Sequence, residues 1–115
     1  MPTPRSGAGV AALNDRLYVA GGYNFRSNYQ ILHTVECFNP SSNSWSSVTS
    51  MNIARRDCVL VPVGDSLLAV GGIDKDDNFI ASVEVYNPDN DSWTVECGLE
   101  GKITGAFAMR KCDLK

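Results

Sequence analysis

The stretch Leu17-Tyr18-Val19-Ala20-Gly21-Gly22 returns fifty residues later as Leu67-Leu68-Ala69-Val70-Gly71-Gly72, and this return decides the fold. The match extends in both directions. Upstream, Met1, Arg5 and Asp15 recur at the same spacing as Met51, Arg55 and Asp65. Downstream, Val35-Glu36, Asn39-Pro40 and Ser44-Trp45 recur at a spacing of 48 as Val83-Glu84, Asn87-Pro88 and Ser92-Trp93. The slip of two falls after the double glycine, where Tyr23 to His33 is two residues longer than Ile73 to Ala81. A length change that leaves its flanks in register belongs in an exposed loop. The chain therefore divides into one unit written twice, residues 1–50 and 51–98, and a remainder, residues 99–115. In that remainder Thr104 to Met109 repeats the small apolar opening of a unit as a single strand before a polar tail.

Each unit reads as four short strands: Gly7 to Leu13, Leu17 to Ala20, Thr34 to Phe38 and Ser44 to Val48 in the first copy. Asn14-Asp15 and Gly64-Asp65 suit the positive φ angles of two-residue hairpin turns. Asn39 to Asn43 and Asn87 to Asp91 are dense in turn formers and close a second hairpin. Helical periodicity is absent, so the fold class is all-β, built from four-stranded antiparallel sheets. Pro62 interrupts a strand and marks it as a sheet edge. Strand alternation puts Val35 and Cys37 on one face and Glu36 and Phe38 on the other, and Val83 to Tyr86 repeats the arrangement.

The balance of charge narrows the function. Among 115 residues, ten are basic and thirteen acidic, and the basic ones are scattered apart from Arg55-Arg56, which argues against nucleic acid as a partner. No apolar run is long enough to span a membrane, and the start lacks a signal-peptide pattern, so the expected setting is cytoplasmic. Cys37, Cys58, Cys97 and Cys112 form no C-x-x-C pair and are expected to be free thiols.

These elements resemble the kelch repeat. The residues that carry the likeness are Leu17 to Gly22 with Val35 to Pro40 and Trp45, and their second copy Leu67 to Gly72 with Val83 to Pro88 and Trp93. Arg5-Ser6-Gly7-Ala8-Gly9-Val10 is similar to the BTB-kelch proteins in particular. The resemblance implies a β-propeller segment, two blades and the closing strand at the C-terminal end of a longer protein. It also implies a protein-binding module, the substrate-recognition part of a cullin-RING ubiquitin ligase adaptor; the alternative is a kelch scaffold that binds actin or the cytoskeleton. In such a propeller the loops after the double glycines and the segments leading into the first strands share one rim. The implied partner-binding residues are Arg5, Ser6, Tyr23, Asn24, Phe25, Arg26, Arg55, Arg56 and Asp74. Arg5 and Arg55 occupy the places where family members often present arginines to acidic peptides; a scaffold ion pair repeated in each blade is the equal alternative. Ile73 and Ile103 depart from the aromatic and arginine of those places.

The loudest residues read as scaffold. Gly21, Gly22, Gly71 and Gly72 allow backbone angles closed to other residues, and no helix follows them to make a phosphate loop. Trp45 and Trp93 pack between blades, and Glu36 and Glu84 act as structural acceptors, because an unpaired buried carboxylate is costly. Catalysis finds no support: His33 is the single histidine, and no cofactor or metal site is expected. Asp74 to Asn78 opens like a calcium loop but has Phe79 in the glycine place and Val85 in the glutamate place. Asn90-Asp91-Ser92 fits the glycosylation pattern in a turn that its composition already explains. Two blades leave apolar faces open, so the chain alone is expected to be poorly soluble or to associate with copies of itself.

Overall fold

The computed structural model describes residues 1–98; the expected closing strand and tail, with Ile103, lie outside the described residues. Among the described residues ten strands form two four-stranded antiparallel sheets and a small hairpin. The first sheet is ordered β1 (Gly9–Leu13), β2 (Arg16–Ala20), β5 (Val35–Asn39), β6 (Ser44–Val48). The second is ordered β7 (Val59–Val63), β8 (Ser66–Val70), β9 (Ser82–Asn87), β10 (Ser92–Gly98). Each sheet is one propeller blade, with all neighbours antiparallel. Pro62 sits on β7, an edge strand, where its missing N–H breaks no ladder.

Turn chemistry sets the registers. Asn14 and Asp15 both take positive φ, 51° and 62°, as a type I′ turn requires, and Leu13 pairs with Arg16 across them. In the second blade only Gly64 does so, at 58°, a pattern in which the first turn residue alone needs the left-handed region. The outer turns are Asx turns: Asn39 Oδ1 accepts from Ser41 N at 3.0 Å and Asn87 Oδ1 from Asp89 N at 2.9 Å.

The core lies between the blades. Ala11, Leu13, Tyr18, Ala20, Val35 and Cys37 of the first meet Leu60, Leu67, Ala69, Tyr86 and Trp93 of the second, with Met51 buried beside them. These sets come from opposite faces of the repeat, so blades stack in one direction. Tyr18 and Tyr86 meet at 5.8 Å between ring centroids, and Trp93 Nε1 donates to Thr49 O at 2.8 Å. Cys37 and Cys58 are buried and free, and burial pushes the Cys58 thiol up from its ordinary value.

The segment after the first double glycine departs from a plain loop. Tyr23–Asn24 (β3) pairs with Gln30–Ile31 (β4) as a short hairpin, with Asn28 and Tyr29 both left-handed at its tip. Its counterpart in the second blade is a single bridge, Ile73 to Phe79. The two extra residues of the first copy lengthen that projection.

Candidate functional site

Backbone hydrogen bonds make the rim one surface across both blades. Ser6 and Tyr23 exchange N–H to carbonyl bonds at 3.0 and 2.8 Å, and Arg56 and Ile73 do the same at 3.0 and 2.8 Å. Gly22 N donates to Arg55 O at 2.8 Å and Asp57 N to Gly7 O at 2.7 Å, which ties the approach to β7 to the rim of the first blade. Gly21 and Gly22 serve this junction: φ is 68° and 91°, and a Cβ on Gly21 would collide with Arg55 O.

Arg5 and Arg55 do not reach the rim surface. Both side chains are 0% exposed. Arg5 Nη2 donates to Glu36 Oε1 at 3.0 Å, and its Nη1 donates to Gly21 O and Thr34 O, both at 2.9 Å. Arg55 Nη2 donates to Glu84 Oε2 at 3.0 Å, and its Nη1 to Gly71 O at 3.0 Å and Ser82 O at 3.2 Å. The expectation that these arginines are presented to a partner is corrected by this geometry. A guanidinium fork carries several donors, and here they bind the end of one strand, the start of the next and a buried carboxylate. Glu84 accepts further from Asn52 N at 2.6 Å and Ile53 N at 3.0 Å, and Glu36 from Thr3 Oγ1 at 3.1 Å. Buried charges survive only when paired and hydrogen-bonded, and each glutamate meets that condition.

The other rim residues fall into two groups. Ser6 contributes its backbone to the bridge with Tyr23. Asn24 Oδ1 accepts from Arg26 N at 3.0 Å, and Asp74 Oδ1 accepts from Asp76 N at 2.9 Å and Asn78 N at 3.0 Å, so both shape their own loops. Phe25 and Arg26 are exposed, with the guanidinium 6.0 Å from the ring centroid. Arg56 is partly exposed and pairs with Asp57 Oδ2 at 2.7 Å and Asp77 Oδ1 at 3.4 Å. His33 Nδ1 lies 3.3 Å from Met51 O.

A cleft of about 290 Å³ opens on this surface, lined by Tyr23, Tyr29, Ile31 and Arg56. Tyr29 and Ile31 are absent from the expected set, as is Phe79, which stands 88% exposed on the neighbouring loop. Tyr29 is 66% exposed and holds φ at 55°, a region that bulky side chains avoid, while its ring lies 5.8 Å from that of Tyr23. The available signal was the two-residue lengthening, because an insertion confined to one copy marks what that copy does alone. Among the described residues no group of three or more His, Cys, Asp or Glu could hold a metal ion. No helix among them is long and apolar enough to cross a membrane.

The family model described as the Kelch motif matches residues 4–52 and 54–96. The chain belongs to the kelch-repeat family. Kelch-like protein 36 of Rattus norvegicus is 37% identical over 101 residues, covering 86% of this chain and 16% of that protein. Spermatocyte protein spe-26 of Caenorhabditis elegans is 36% identical over 93 residues, covering 78% of this chain and 16% of that protein. Kelch repeat and BTB domain-containing protein 1 of Cowpox virus is 28% identical over 114 residues, covering 98% of this chain and 20% of that protein. Among solved structures, that of YjhT superposes with a TM-score of 0.74 at 18% identity, covering 87% of this chain and 40% of that one. At that identity the superposition speaks to the fold, a kelch propeller. The chain thus spans a fifth or less of these curated relatives' length.

Proposed function

We propose that this kelch segment is a protein-binding module whose contact surface is the rim, and that it serves in the cytoplasm as the substrate-recognition part of a cullin-RING ubiquitin ligase adaptor of BTB-kelch type. The observation that carries the reading is the division of labour among polar residues. Arg5, Arg55, Glu36 and Glu84 are consumed inside the blades, whereas Tyr23, Tyr29 and Arg56 line one cleft and Phe25, Arg26 and Phe79 stand exposed on the loops after the double glycines. Tyr and Arg are the residue types that dominate protein interfaces, and a tyrosine-lined cleft gives a partner side chain somewhere to anchor. The adaptor role draws its support from likeness to a protein that carries a BTB domain by name. Contact with a cullin would be made outside this chain.

The test is purification of the full-length protein from cells, beside variants carrying Tyr29→Ala or Arg56→Glu. The expected result is that a cullin co-purifies with all three and that a second set of proteins is lost from the variants. Absence of a cullin, with pelleting on filamentous actin, would move the reading to a cytoskeletal scaffold. A partner set unchanged by both variants would remove the rim from the account.

A further inference from the structure

With Arg5 and Arg55 locked inside their blades, the charge left on the described part of the rim changes sign. Among the described residues there the cations are Arg26, Arg56 and Lys75, and the carboxylates are Asp57, Asp74, Asp76 and Asp77. Arg56, the one guanidinium lining the cleft among the described residues, already faces two carboxylates, one on each terminal nitrogen. Each of those carboxylates keeps a second oxygen, Asp57 Oδ1 and Asp77 Oδ2, with no partner among the described residues. Asp57 Oδ1 also stands on the Tyr23 side of the rim: a Cβ added at Gly7 would lie 2.8 Å from it and 3.5 Å from Tyr23 Cε1. The cleft therefore offers two tyrosine rings and Ile31, and the guanidinium in its wall carries the carboxylates of Asp57 and Asp77.

We propose that the cleft between Tyr23, Tyr29 and Ile31 takes a lysine or arginine side chain of the partner, whose charge is met by Asp57 and Asp77. This rests on the rim being the partner surface. A cationic side chain has an apolar stem and a charged tip; the stem lies along Ile31, the tip is attracted to the faces of Tyr23 and Tyr29, and the carboxylate oxygens accept its protons. An acidic side chain in the same place would meet the two carboxylates already on Arg56 and be repelled by them. Charge complementarity selects the cation.

The experiment offers the full chain three sets of short immobilised peptides whose central residues are fixed as Lys and Arg, as Asp and Glu, or as Leu and Phe, with randomised flanks. The basic-centred set is expected to retain the protein at least about tenfold better than the acidic-centred set, a difference of ~1.4 kcal/mol. Tyr29→Ala and Asp77→Asn should each abolish that preference without loss of fold, since Tyr29 is exposed and asparagine accepts the left-handed φ of 63° held by Asp77. Preference for the acidic-centred set, lost on Tyr29→Ala, overturns the cation and leaves the rim as the partner surface. Equal binding of all sets, or none, together with cellular partners that ignore Tyr29→Ala, overturns both.

Discussion

Glu84 accepts four hydrogen bonds and Glu36 two, although each stands in the third strand of its blade and each faces a buried arginine. The difference begins in the sequence. Asn52, which gives Glu84 both its backbone N–H and its side-chain amide, corresponds to Pro2, which has neither donor. The tryptophans differ in a parallel way. Each packs, tilted, against the aromatic of its own third strand, Tyr86 at 5.0 Å and Phe38 at 5.1 Å, but Trp93 is also buried against the first blade and donates to Thr49 O, whereas Trp45 is half-buried. Tyr86 and Asp91 add a link that Phe38 and Asn43 lack: Asp91 Oδ1 accepts from Tyr86 OH at 2.8 Å and from Thr49 N at 3.0 Å. A repeat thus supplies the same Glu and Trp twice, and the residues that differ between the copies, with the neighbouring blade, decide how far each is satisfied.

Substitutions at paired positions can break this comparison. Removing one partner of a buried ion pair leaves the other uncompensated, so Glu84→Ala should cost ~3–5 kcal/mol, and Glu36→Ala clearly less because fewer donors are orphaned. Urea unfolding midpoints measure both. Next come the tryptophans: Trp93→Ala should cost about 3–5 kcal/mol as a core truncation, against roughly 1–2 kcal/mol for Trp45→Ala. Equal costs would mean that Trp93 gains nothing from the blade it faces. A smaller contrast lies in the glycines, both at φ 68°. Gly71→Ala meets no described atom within 4 Å and should cost only the left-handed strain, ~1–2 kcal/mol, whereas Gly21→Ala adds a collision with Arg55 O worth a further ~1–3 kcal/mol.

The smallest effect is one of pH. The Thr49 amide and the Tyr86 hydroxyl hold the Asp91 carboxyl below its ordinary value of 3.8. A folded-state value lowered in this way gives stability that is present above the unfolded value and lost as pH falls through the folded one. Wild type should therefore exceed Asp91→Asn slightly at neutral pH, and the gap should close in acid, below the ordinary carboxylate range. A gap that persists there would assign the link to shape instead of charge.

Strand positions were legible because turns and apolar runs are local and were written twice. Burial of the arginines was half legible. Arg5 and Arg55 repeat at a spacing of 50 and Glu36 and Glu84 at 48, which is what a pair inside each blade would do, yet a charged residue before a strand reads equally well as exposed. The contact that decides it spans 31 residues in the first blade and 29 in the second, beyond the reach of any local pattern. The β3–β4 hairpin was not legible. Ser27 to Gln30 has no alternation, and Tyr29 in a left-handed tip breaks the turn preferences that reveal other hairpins.

That Arg55 holds a blade together while Tyr29 meets the partner is tested most directly by urea unfolding of Arg55→Ala beside Tyr29→Ala. The Arg55→Ala midpoint should fall by an amount equivalent to ~3–5 kcal/mol, because Glu84 is left buried without its counter-charge, and the Tyr29→Ala midpoint should not fall. An Arg55→Ala chain that unfolds at the wild-type midpoint would contradict the account.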